Sequence, residues 1–590
     1  MTPREILADC PLFTRLDPVA LAALAEQAEM IEVPSGTTLI ERGAVLEHLY
    51  IVAAGRLCAV LADGTVAGMI ARLEPIGEVS ALSSETATAS VHAVRDSLLV
   101  RLPSRHLHQV VGQHPQALLQ MTQVIIQRLR KNQRAQRLEH QRQVRCFAVI
   151  PGSPGVDAEM VAQQLRNSLS SYCSPAVLDA AAVDAALGPG ASQTRLDDGE
   201  ANRRVLEYLN RIEVEQKYLI YVASAECDPW MRRCMRQADR ILVVIDAATP
   251  PVAGPVVDEL RTCGARAPVD LVMIRSDGEG RGALSSWRDH VSARAHYYVR
   301  RHQADDFVSM ARQLTGRGVG LVLGGGGARG FAHIGLMRAL RELGIPVDVV
   351  GGSSMGAFFS ALVACGYDHD EMLHIARETF VSRNLLNDYI FPSVALIRGR
   401  KFVNRLQVIF EDRRIEDLRK PFFCVSTNLT RGRPMIHDRG PLYLWVATSM
   451  AVPGVAPPVV YQGDLLCDGG VINNLPTDIM QGLDRGLIIA SDVSTAGGIA
   501  APGIDGPDPE GLFRLRAVVD RPRLLSIIFR TATLTSESGT AARAARADAY
   551  LRMPVDGVAL FDWKKIDDIV ERGYRHALQQ LQPIKDKLLP

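Results

Sequence analysis

Apolar and polar positions alternate along the first quarter of the chain. Up to about residue 142, short alternating runs such as HLYIVAAGRLCAVLADG (48–64) are separated by turn residues. This period-two alternation is typical of strands that are buried on one face. The pattern predicts a compact β-structure over 1–142, which ends in a long helix that is rich in Arg and poor in apolar positions.

From residue 143 onward, continuous apolar runs are separated by helical stretches. The runs are RCFAVIPG, KYLIYVAS, DRILVVIDA and VDLVMIRS up to about residue 315, followed by VGLVLG, VDVVGGSS, FFCVSTN and GLIIASDVS. Strands that are apolar on both faces are typical of parallel sheets covered by helices. The sequence therefore predicts two α/β domains in series after the β domain.

Composition narrows the function classes. Hydrophobic residues make up 47% of the 590 residues and the formal net charge is +1, so nothing favours nucleic acid as a partner. The ten cysteines form no C-x-x-C pair, which predicts free thiols rather than a metal site or a disulfide framework. We find no signal peptide and no apolar run of about 20 residues. These features predict a cytoplasmic protein that contacts membranes only from their surface.

A glycine-rich loop follows the first apolar run of the third region, in VGLVLGGGGARGFAHIGLM (319–337). Gly325, Gly327 and Gly330 satisfy the dinucleotide pattern G-x-G-x-x-G, which also requires an acidic residue at the end of the next strand. That strand, VDVVGGSS, carries its acidic residue, Asp348, near its start. The sequence therefore does not meet this second requirement of a dinucleotide-dependent oxidoreductase. The alternative is that backbone N–H groups of Gly325, Gly326 and Gly327 hold the oxyanion of a reaction intermediate.

The next strand ends in a serine motif. Gly352, Ser354 and Gly356 form G-x-S-x-G between an apolar run and the small-residue helix AFFSALVACG. This context is typical of a nucleophile elbow, in which a tight turn lifts the serine Oγ above the edge of a sheet. The two loops then lie at the same edge, where Arg329 can steady the glycine loop or bind a phosphate group.

Two candidates remain for the base that activates Ser354. A triad in the order Ser-Asp-His would use Asp468 and His576. A dyad would use Asp468 alone, in the string CDGG, with desolvation strengthening a carboxylate that is normally a weak base. Asp-Gly is also a common turn pair, so Asp468 can have a purely structural role.

The strings GGGGARG, GGSSMG and DGG, in this order, resemble the motifs of patatin-like phospholipases over roughly 319–481. The resemblance implies an α/β/α hydrolase fold and a Ser–Asp dyad without histidine, with Ser354 as the nucleophile and Asp468 as the proton acceptor. It implies no metal and no cofactor. It also implies an oxyanion hole formed by Gly325, Gly326, Gly327 and Arg329.

Residues 11–103 resemble a cyclic nucleotide-binding domain, through PLFTRLDPVALAALA and IGEVSALSSETATASVHAVRDSLLVRLP. Gly77 and Glu78 match the segment that meets the cyclic phosphate and the ribose in that family. The phosphate-binding Arg of the family falls at or beside Ala87, and no Arg lies between Arg72 and Arg95. A bidentate Arg–phosphate contact is a large part of such affinity, so we expect a degenerate regulatory or docking module that binds no cyclic nucleotide.

The order of the whole chain resembles bacterial relatives of neuropathy target esterase. It implies a cyclic nucleotide-binding-like β-roll at 1–142, a middle α/β domain at 143–315, a patatin-like domain at 316–485 and an extension at 486–590 that completes it. The implied activity is hydrolysis of carboxylic esters in phospholipids or lysophospholipids through an acyl-enzyme. The alternative is a lipid-sensing or scaffold protein with little catalysis.

Three further segments carry weaker signals. Asp228, Trp230, Arg232 and Arg233 can form a site in the middle domain, although structural roles are the expectation. The segment RPRLLSIIFRTATL (521–534) mixes Arg with large apolar residues and is a candidate membrane contact, with an amphipathic core helix as the alternative. The Gly/Pro-rich loop 496–510 is a candidate lid.

Overall fold

The chain forms two compact units, Met1–Thr315 and Gly316–Pro590, each described below by itself. The computed structural model describes residues 2–14, 16–64, 66–83, 86–114, 121–123, 125, 144–251, 255–262, 267–275, 283–383, 385, 387–391, 394–495 and 524–589. None of the helices in these ranges is both long enough and apolar enough to cross a membrane. Most of the Arg-rich segment before residue 142 and the whole candidate lid lie outside them.

The first unit begins with a β-roll, as predicted. Its two four-stranded antiparallel sheets have the strand orders β1-β8-β3-β6 and β2-β7-β4-β5. The strands are β1 Glu29–Val33, β2 Thr38–Ile40, β3 His48–Ala54, β4 Leu57–Val60, β5 Val66–Ile70, β6 Pro75–Ile76, β7 Ser90–Ala93 and β8 Ser97–Pro103. The helices are α1 Pro3–Asp9, α2 Pro18–Glu26, α3 Glu78–Ser83 and α4 Ser104–Gln113.

The second part of the first unit is a parallel sheet in the order β10-β11-β9-β12-β13-β14, which confirms the predicted middle α/β domain. All six residues of β9 are buried, as expected for a strand covered by helices on both faces. The strands are β9 Cys146–Pro151, β10 Ala176–Leu178, β11 Leu219–Val222, β12 Arg240–Asp246, β13 Val269–Arg275 and β14 Ala295–Arg300. The helices are α5 Ala158–Leu169, α6 Ala180–Leu187, α7 Gly199–Glu215, α8 Pro229–Gln237, α9 Pro255–Thr262, α10 Ala283–Val291 and α11 Ala304–Leu314.

A buried ion network joins the β-roll to this parallel sheet. Arg95, between β7 and β8, places Nε 3.0 Å from Asp239 Oδ1, and its Nη1 donates to Glu213 Oε2 over 2.9 Å. Arg56 lies 3.5 Å from the other oxygen of Asp239. Burial opposes ionisation of Asp239, yet Arg56, Arg95 and two backbone N–H groups hold its pKa below the ordinary value. The network therefore places four charged side chains, two basic and two acidic, at a buried contact between the β-roll and the parallel sheet.

The second unit has a mixed eight-stranded sheet, in the order β19-β20-β17-β16-β15-β21-β22 with β18 paired to β17. Its strands are β15 Gly318–Leu323, β16 Val349–Ser353, β17 Phe422–Asn428, β18 Arg433–His437, β19 Val459–Tyr461, β20 Asp464–Asp468, β21 Gly486–Asp492 and β22 Ala549–Arg552. Its helices are α12 Ala332–Leu343, α13 Met355–Cys365, α14 His369–Ala376, α15 Arg400–Phe410, α16 Leu442–Ser449, α17 Thr477–Leu483, α18 Leu524–Ser538, α19 Thr540–Ala544, α20 Ile566–Leu581 and α21 Lys585–Leu588.

Apolar side chains fill both faces of this sheet. Successive residues of β15 enter different clusters, Leu321 packing with one and Val322 with the other. The layered α/β architecture predicted for this region is thereby confirmed. The chain after residue 523 takes part in it, because β22 pairs in parallel with β21 and α20 crosses α12.

Strand pairing determines which loops meet. β15 and β16 are parallel neighbours, with Leu323 opposite Gly352, so the glycine loop and the serine motif leave the sheet side by side. β20 runs antiparallel to β17 and places Asp468 opposite Ser426. The three sequence motifs therefore converge at one edge of the sheet.

Candidate active site

Ser354 occupies a strained turn between β16 and α13. Its φ of 53° and ψ of −124° lie in a region that non-glycine residues rarely adopt. A Cβ on Gly352 would lie 2.7 Å from the Leu323 carbonyl oxygen, and one on Gly356 would lie 2.0 Å from it. Both positions need glycine because the end of β15 passes so close to the turn.

The serine hydroxyl is paired with the predicted carboxylate. Ser354 Oγ donates to Asp468 Oδ2 over 2.6 Å. The other carboxylate oxygen accepts from the Gly470 N–H over 2.7 Å, and the Asp468 N–H donates to the Ala451 carbonyl over 2.9 Å. Both ends of Asp468 are thus fixed, and the residue is only 4% exposed.

Burial changes the basicity of this carboxylate. Desolvation raises the pKa of Asp468 from 3.8 to about 6, against the opposing effect of the hydrogen bonds from Ser354 and Gly470. Asp468 is therefore still ionised at neutral pH, and it is a stronger base than an exposed aspartate.

The histidines of the second unit lie elsewhere. His576 is on α20, where it contacts the Arg552 backbone, and it does not line the cavity around Ser354. His333 is fully buried, with Nε2 2.9 Å from the Gly324 carbonyl and Nδ1 3.0 Å from Ser491 Oγ. Burial lowers the pKa of His333 to about 4. A neutral ring then donates from Nε2 and accepts at Nδ1, which secures the start of the glycine loop.

Asn474 holds the glycine loop from the other side. Its Oδ1 accepts from the Gly325 N–H over 3.1 Å, and its Nδ2 donates to the Gly325 carbonyl over 3.0 Å. The Gly325 N–H, predicted as an oxyanion donor, is therefore already used. The N–H groups of Gly326 and Gly327 have no acceptor among the described residues.

Close packing explains the remaining glycines of the loop. A Cβ on Gly325 would lie 2.7 Å from Ser354 Cβ. Gly327 has a φ of 57°, and a Cβ there would lie 2.3 Å from the Leu560 carbonyl oxygen. Arg329 does not line the cavity; its Nε donates to the Val558 carbonyl over 2.8 Å, so it anchors the loop to the C-terminal segment.

Two further residues at the elbow were missed by sequence reasoning. Ser449, at the end of α16, accepts from the Ser354 N–H over 3.0 Å and donates to the Val425 carbonyl over 2.6 Å. Met355 begins α13, and its N–H has no acceptor within the described parts of the chain. The motif itself marks Met355, because the residue after an elbow nucleophile commonly supplies an oxyanion donor. No local signal marks Ser449.

A cavity of about 510 Å³ opens beside the serine. Ser354, Asp468 and the glycine loop form one part of its wall. Apolar side chains form most of the rest: Met355, Phe380, Leu385, Ile397, Phe402, Met450, Val452, Val455, Ala456, Leu560 and Trp563. Five lining residues are themselves exposed and so define its mouth: Val381, Arg383, Phe561, Lys564 and Lys565.

The residues singled out for nucleotides have other surroundings. Asp348 is buried and its Oδ2 accepts from the Val319 N–H, at the start of β15 rather than beside the glycine loop. Gly77 has a φ of 82° at the junction of β6 and α3, and Glu78 begins that helix. Ala87 is buried. Arg95, the next Arg along the chain, is bound in the ion network described above.

The four candidate residues of the middle domain have structural roles. Asp228 caps α8 by accepting from the Met231 N–H, and Trp230 is buried with its Nε1 donating to the Val222 carbonyl. Arg232 pairs with Glu259. Arg233 is buried and donates to Asn202 and Thr194: Nη1 to Asn202 Oδ1 and Nη2 to the Thr194 carbonyl.

Comparison with protein families matches three segments of the chain. Residues 321–480 match the patatin-like phospholipase family, and residues 143–290 match the neuropathy target esterase (NTE) family P-loop-like domain. Residues 30–114 match the cyclic nucleotide-binding domain. The three matches follow the same order as the resemblances in the sequence.

Individual relatives extend over nearly the whole chain. An NTE family protein of Mycobacterium tuberculosis (strain CDC 1551 / Oshkosh) is 30% identical over 99% of this chain and 97% of its own length. Patatin-like phospholipase domain-containing protein 7 of Mus musculus is 30% identical over 93% of this chain and 45% of its own. A protein named lysophospholipase from Aspergillus terreus is 28% identical over 99% of this chain and 44% of its own. The chain thus spans less than half the length of the latter two relatives.

Proposed function

The chain belongs to the NTE family and carries its patatin-like phospholipase domain, and from this premise we propose that it is a serine hydrolase of phospholipid or lysophospholipid esters. The observation that carries the proposal is the 2.6 Å contact between Ser354 Oγ and Asp468 Oδ2 at the wall of a largely apolar cavity. Nucleophile, base and binding space lie together there, as ester hydrolysis requires.

The proposed reaction has two halves that share one base. Ser354 Oγ attacks the ester carbonyl while its proton passes to Asp468, and the protonated Asp468 then gives that proton to the departing alcohol. The acyl group is left on Ser354. A water molecule, deprotonated by Asp468, attacks this acyl-enzyme, and the fatty acid leaves as the proton returns to Ser354 Oγ.

Backbone N–H groups stabilise the oxyanion in this proposal. We assign the role to Gly326, Gly327 and Met355, whose N–H groups have no acceptor among the described residues. Met355 lies at the positive end of the α13 dipole, which adds to the stabilisation. Gly325, held by Asn474, acts as part of the scaffold rather than as a donor.

The cavity is suited to a lipid. Its apolar wall provides a place for an acyl chain, and Lys564, an exposed cation at the mouth, provides positive charge for a headgroup phosphate. The relative from Aspergillus terreus is named a lysophospholipase, which supports the same substrate class.

The test is turnover of lysophosphatidylcholine and of p-nitrophenyl esters by the native chain and three variants. Ser354→Ala and Asp468→Asn should each lower kcat by roughly 1000-fold or more, as loss of a nucleophile or its base does in other serine hydrolases. His576→Ala is the control and should keep full activity. Full activity in Asp468→Asn, or loss in His576→Ala, would contradict the dyad; absence of turnover in the native chain would favour a lipid-sensing role.

A further inference from the structure

A cluster of large apolar side chains is exposed on the second unit. Phe391 is 86% exposed, more than any other large apolar side chain among the described residues. Tyr389 and Val394, close to it in sequence, are 72% and 62% exposed. Single exposed apolar residues are ordinary, but a contiguous group of them commonly marks a surface that binds a partner.

The exposed cluster lies on two paired arms, 387–391 and 394–398, that together we call the docking hairpin. Its arms pair through Ile390 N–H to the Leu396 carbonyl (3.0 Å) and Arg398 N–H to the Asp388 carbonyl (2.9 Å). Tyr389 lies opposite Ile397 in the same antiparallel arrangement. The pairing places Tyr389 between these two hydrogen bonds and Phe391 next to Ile390 on the first arm.

The hairpin is fixed to the wall of the catalytic cavity. Leu396 and Ile397 donate their N–H groups to the Gly454 and Val455 carbonyls, each over 3.0 Å. Ile397 is 3% exposed and lines the cavity together with Val455.

Further exposed apolar and basic side chains lie at the mouth of the cavity. Val381 and Phe561 line the cavity and are 37% and 41% exposed. Arg383, Lys564 and Lys565 are the exposed cations of the mouth. Arg383 lies 3.5 Å from Glu378 and Lys565 lies 2.8 Å from Asp562, so of the three only Lys564 has no ion-pair partner among the described residues. The apolar and basic side chains thus surround the opening through which a substrate reaches Ser354.

The base of the hairpin is also basic. Arg398 and Arg400 are exposed, and neither has an ion-pair partner among the described residues. Asp388, the acid of this segment, is half-buried, and its Oδ2 accepts from the Lys401 N–H. Exposed aromatic residues beside unpaired cations are typical of surfaces that bind the interface of a membrane with anionic lipids.

We propose that the docking hairpin and the mouth of the cavity seat the second unit on a bilayer that contains anionic phospholipid. Phe391, Tyr389 and Val394 enter the interfacial region. Arg398, Arg400 and Lys564, which have no ion-pair partner among the described residues, pair with lipid phosphates. The opening then faces the lipid, and a substrate molecule reaches Ser354 without crossing water. The inference rests on the proposed lipid-hydrolase function, because it supplies the route by which that substrate arrives.

The experiment measures sedimentation of the full chain with vesicles of phosphatidylcholine and phosphatidylglycerol in equal parts. Ser354→Ala is the reference protein, so that binding is observed without turnover and independently of the proposed reaction. Adding Phe391→Asp to it should weaken binding at least about tenfold, since a buried Phe side chain contributes about that factor or more. High salt should also weaken the binding of the reference protein.

A matched control separates insertion from a general loss of apolar surface. Val460 is 72% exposed, belongs to β19 and does not line the cavity, so Val460→Asp should leave vesicle binding unchanged. In the catalytically intact chain, Phe391→Asp should lose hydrolysis of vesicle lipid while keeping its kcat/KM for a water-soluble p-nitrophenyl ester.

Three outcomes would overturn the inference. The first is equal vesicle binding by the reference protein and its Phe391→Asp form. The second is weakening by Val460→Asp as large as that by Phe391→Asp. The third is a change of oligomeric state on Phe391→Asp with vesicle binding intact, which would make the hairpin a contact between copies. Failure of the native chain to hydrolyse any ester, with vesicle binding as expected, would instead count against the proposed function alone.

Discussion

The Ser354–Asp468 pair makes catalysis depend on how far Asp468 is ionised. Because burial raises the pKa of Asp468 to about 6, the base form is lost as the pH falls through that value. We expect kcat/KM for a soluble ester to fall about tenfold for each pH unit below about 6, and to be level between pH 7 and 8. Initial rates across this range measure the profile.

A second series of measurements, of thermal stability against pH, distinguishes protonation of Asp468 from acid unfolding. The thermal midpoint of the native chain, recorded at each pH, shows whether the fold persists where the rate has fallen. A level profile down to pH 5 would contradict the raised pKa of Asp468, and the residual activity of Ser354→Ala shows how much of the profile belongs to this site.

Asn474 acts on the reaction through Gly325 and is a positioning residue. Replacing it by Ala removes both hydrogen bonds that fix the glycine loop, so the neighbouring donors lose their alignment with the developing charge. We expect kcat to fall by about 10- to 100-fold with little change in KM, as small displacements of aligned groups do. Steady-state kinetics on a soluble ester provide both constants.

The neighbouring residue is the matched control for this prediction. Asn473 is buried and Asn474 half-buried, but the Asn473 amide donates to Asp478 over 2.9 Å instead of holding the glycine loop. Asn473→Ala should therefore lower stability without a comparable loss of kcat. Similar losses of kcat in both variants would mean that the effect of Asn474→Ala comes from general disturbance of the segment.

The residues of the site differ in how well the sequence indicated them. Ser354 lies in a motif whose strand–turn–helix context is local, so its turn could be predicted from neighbouring residues alone. Asp468 was identified as the base through a family resemblance, because Asp-Gly by itself also predicts an ordinary turn. Ser449 and Asn474 lie 95 and 149 positions from the groups they bind, and only the folded strand order brings them there.

At the scale of elements, two glycines set the distance between α12 and α20. A Cβ on Gly573 would lie 2.5 Å from the Ala332 carbonyl oxygen, and one on Gly335 would lie 2.1 Å from the Val570 carbonyl oxygen. Gly573→Ala should therefore destabilise the second unit by about 1–3 kcal/mol through overpacking, although Ala favours helix. Urea denaturation followed by fluorescence measures the change.

Gly482 is the control that separates the two effects of a Gly→Ala change in a helix, steric overlap of the new Cβ and the gain in helix propensity. It lies on α17, and a Cβ there would meet nothing within 4 Å. Gly482→Ala should raise the free energy of unfolding by up to about 1 kcal/mol. If Gly573→Ala instead raised the free energy of unfolding by a similar amount, the close crossing of α12 and α20 would not be a feature of the protein in solution.

Strands were predicted best where the sequence has an uninterrupted run of apolar residues. The apolar runs VGLVLG and FFCVSTN correspond to β15 and β17, whose residues are all buried. The antiparallel partners of β17 could not be recognised in the same way. β18 is largely exposed, and the apolar run of β20 is only LLC between two aspartates, so neither has the long apolar run that marked the parallel strands.

At the scale of the whole molecule, buried ion pairs as well as apolar contacts join the β-roll to the middle domain. Arg95 is 2% exposed and faces Glu213 and Asp239 of the parallel domain. Its guanidinium is therefore fully engaged in ion pairs with these two carboxylates. These ion pairs are compatible with the expectation that the β-roll is a regulatory or docking module. The expectation that it binds no cyclic nucleotide stays a prediction.

Replacing Arg95 tests how firmly the two folds of the first unit depend on each other. Arg95→Met leaves Glu213 buried without its ion-pair partner and leaves Asp239 with Arg56 alone, so we expect a loss of about 3–5 kcal/mol in the free energy of unfolding. Arg101→Met is the control, because Arg101 pairs with Glu29 on the exposed surface of the β-roll and should cost at most about 1 kcal/mol. Urea denaturation of both variants measures the two losses. Equal and small losses would mean that water reaches the network and that the β-roll and the parallel sheet unfold independently.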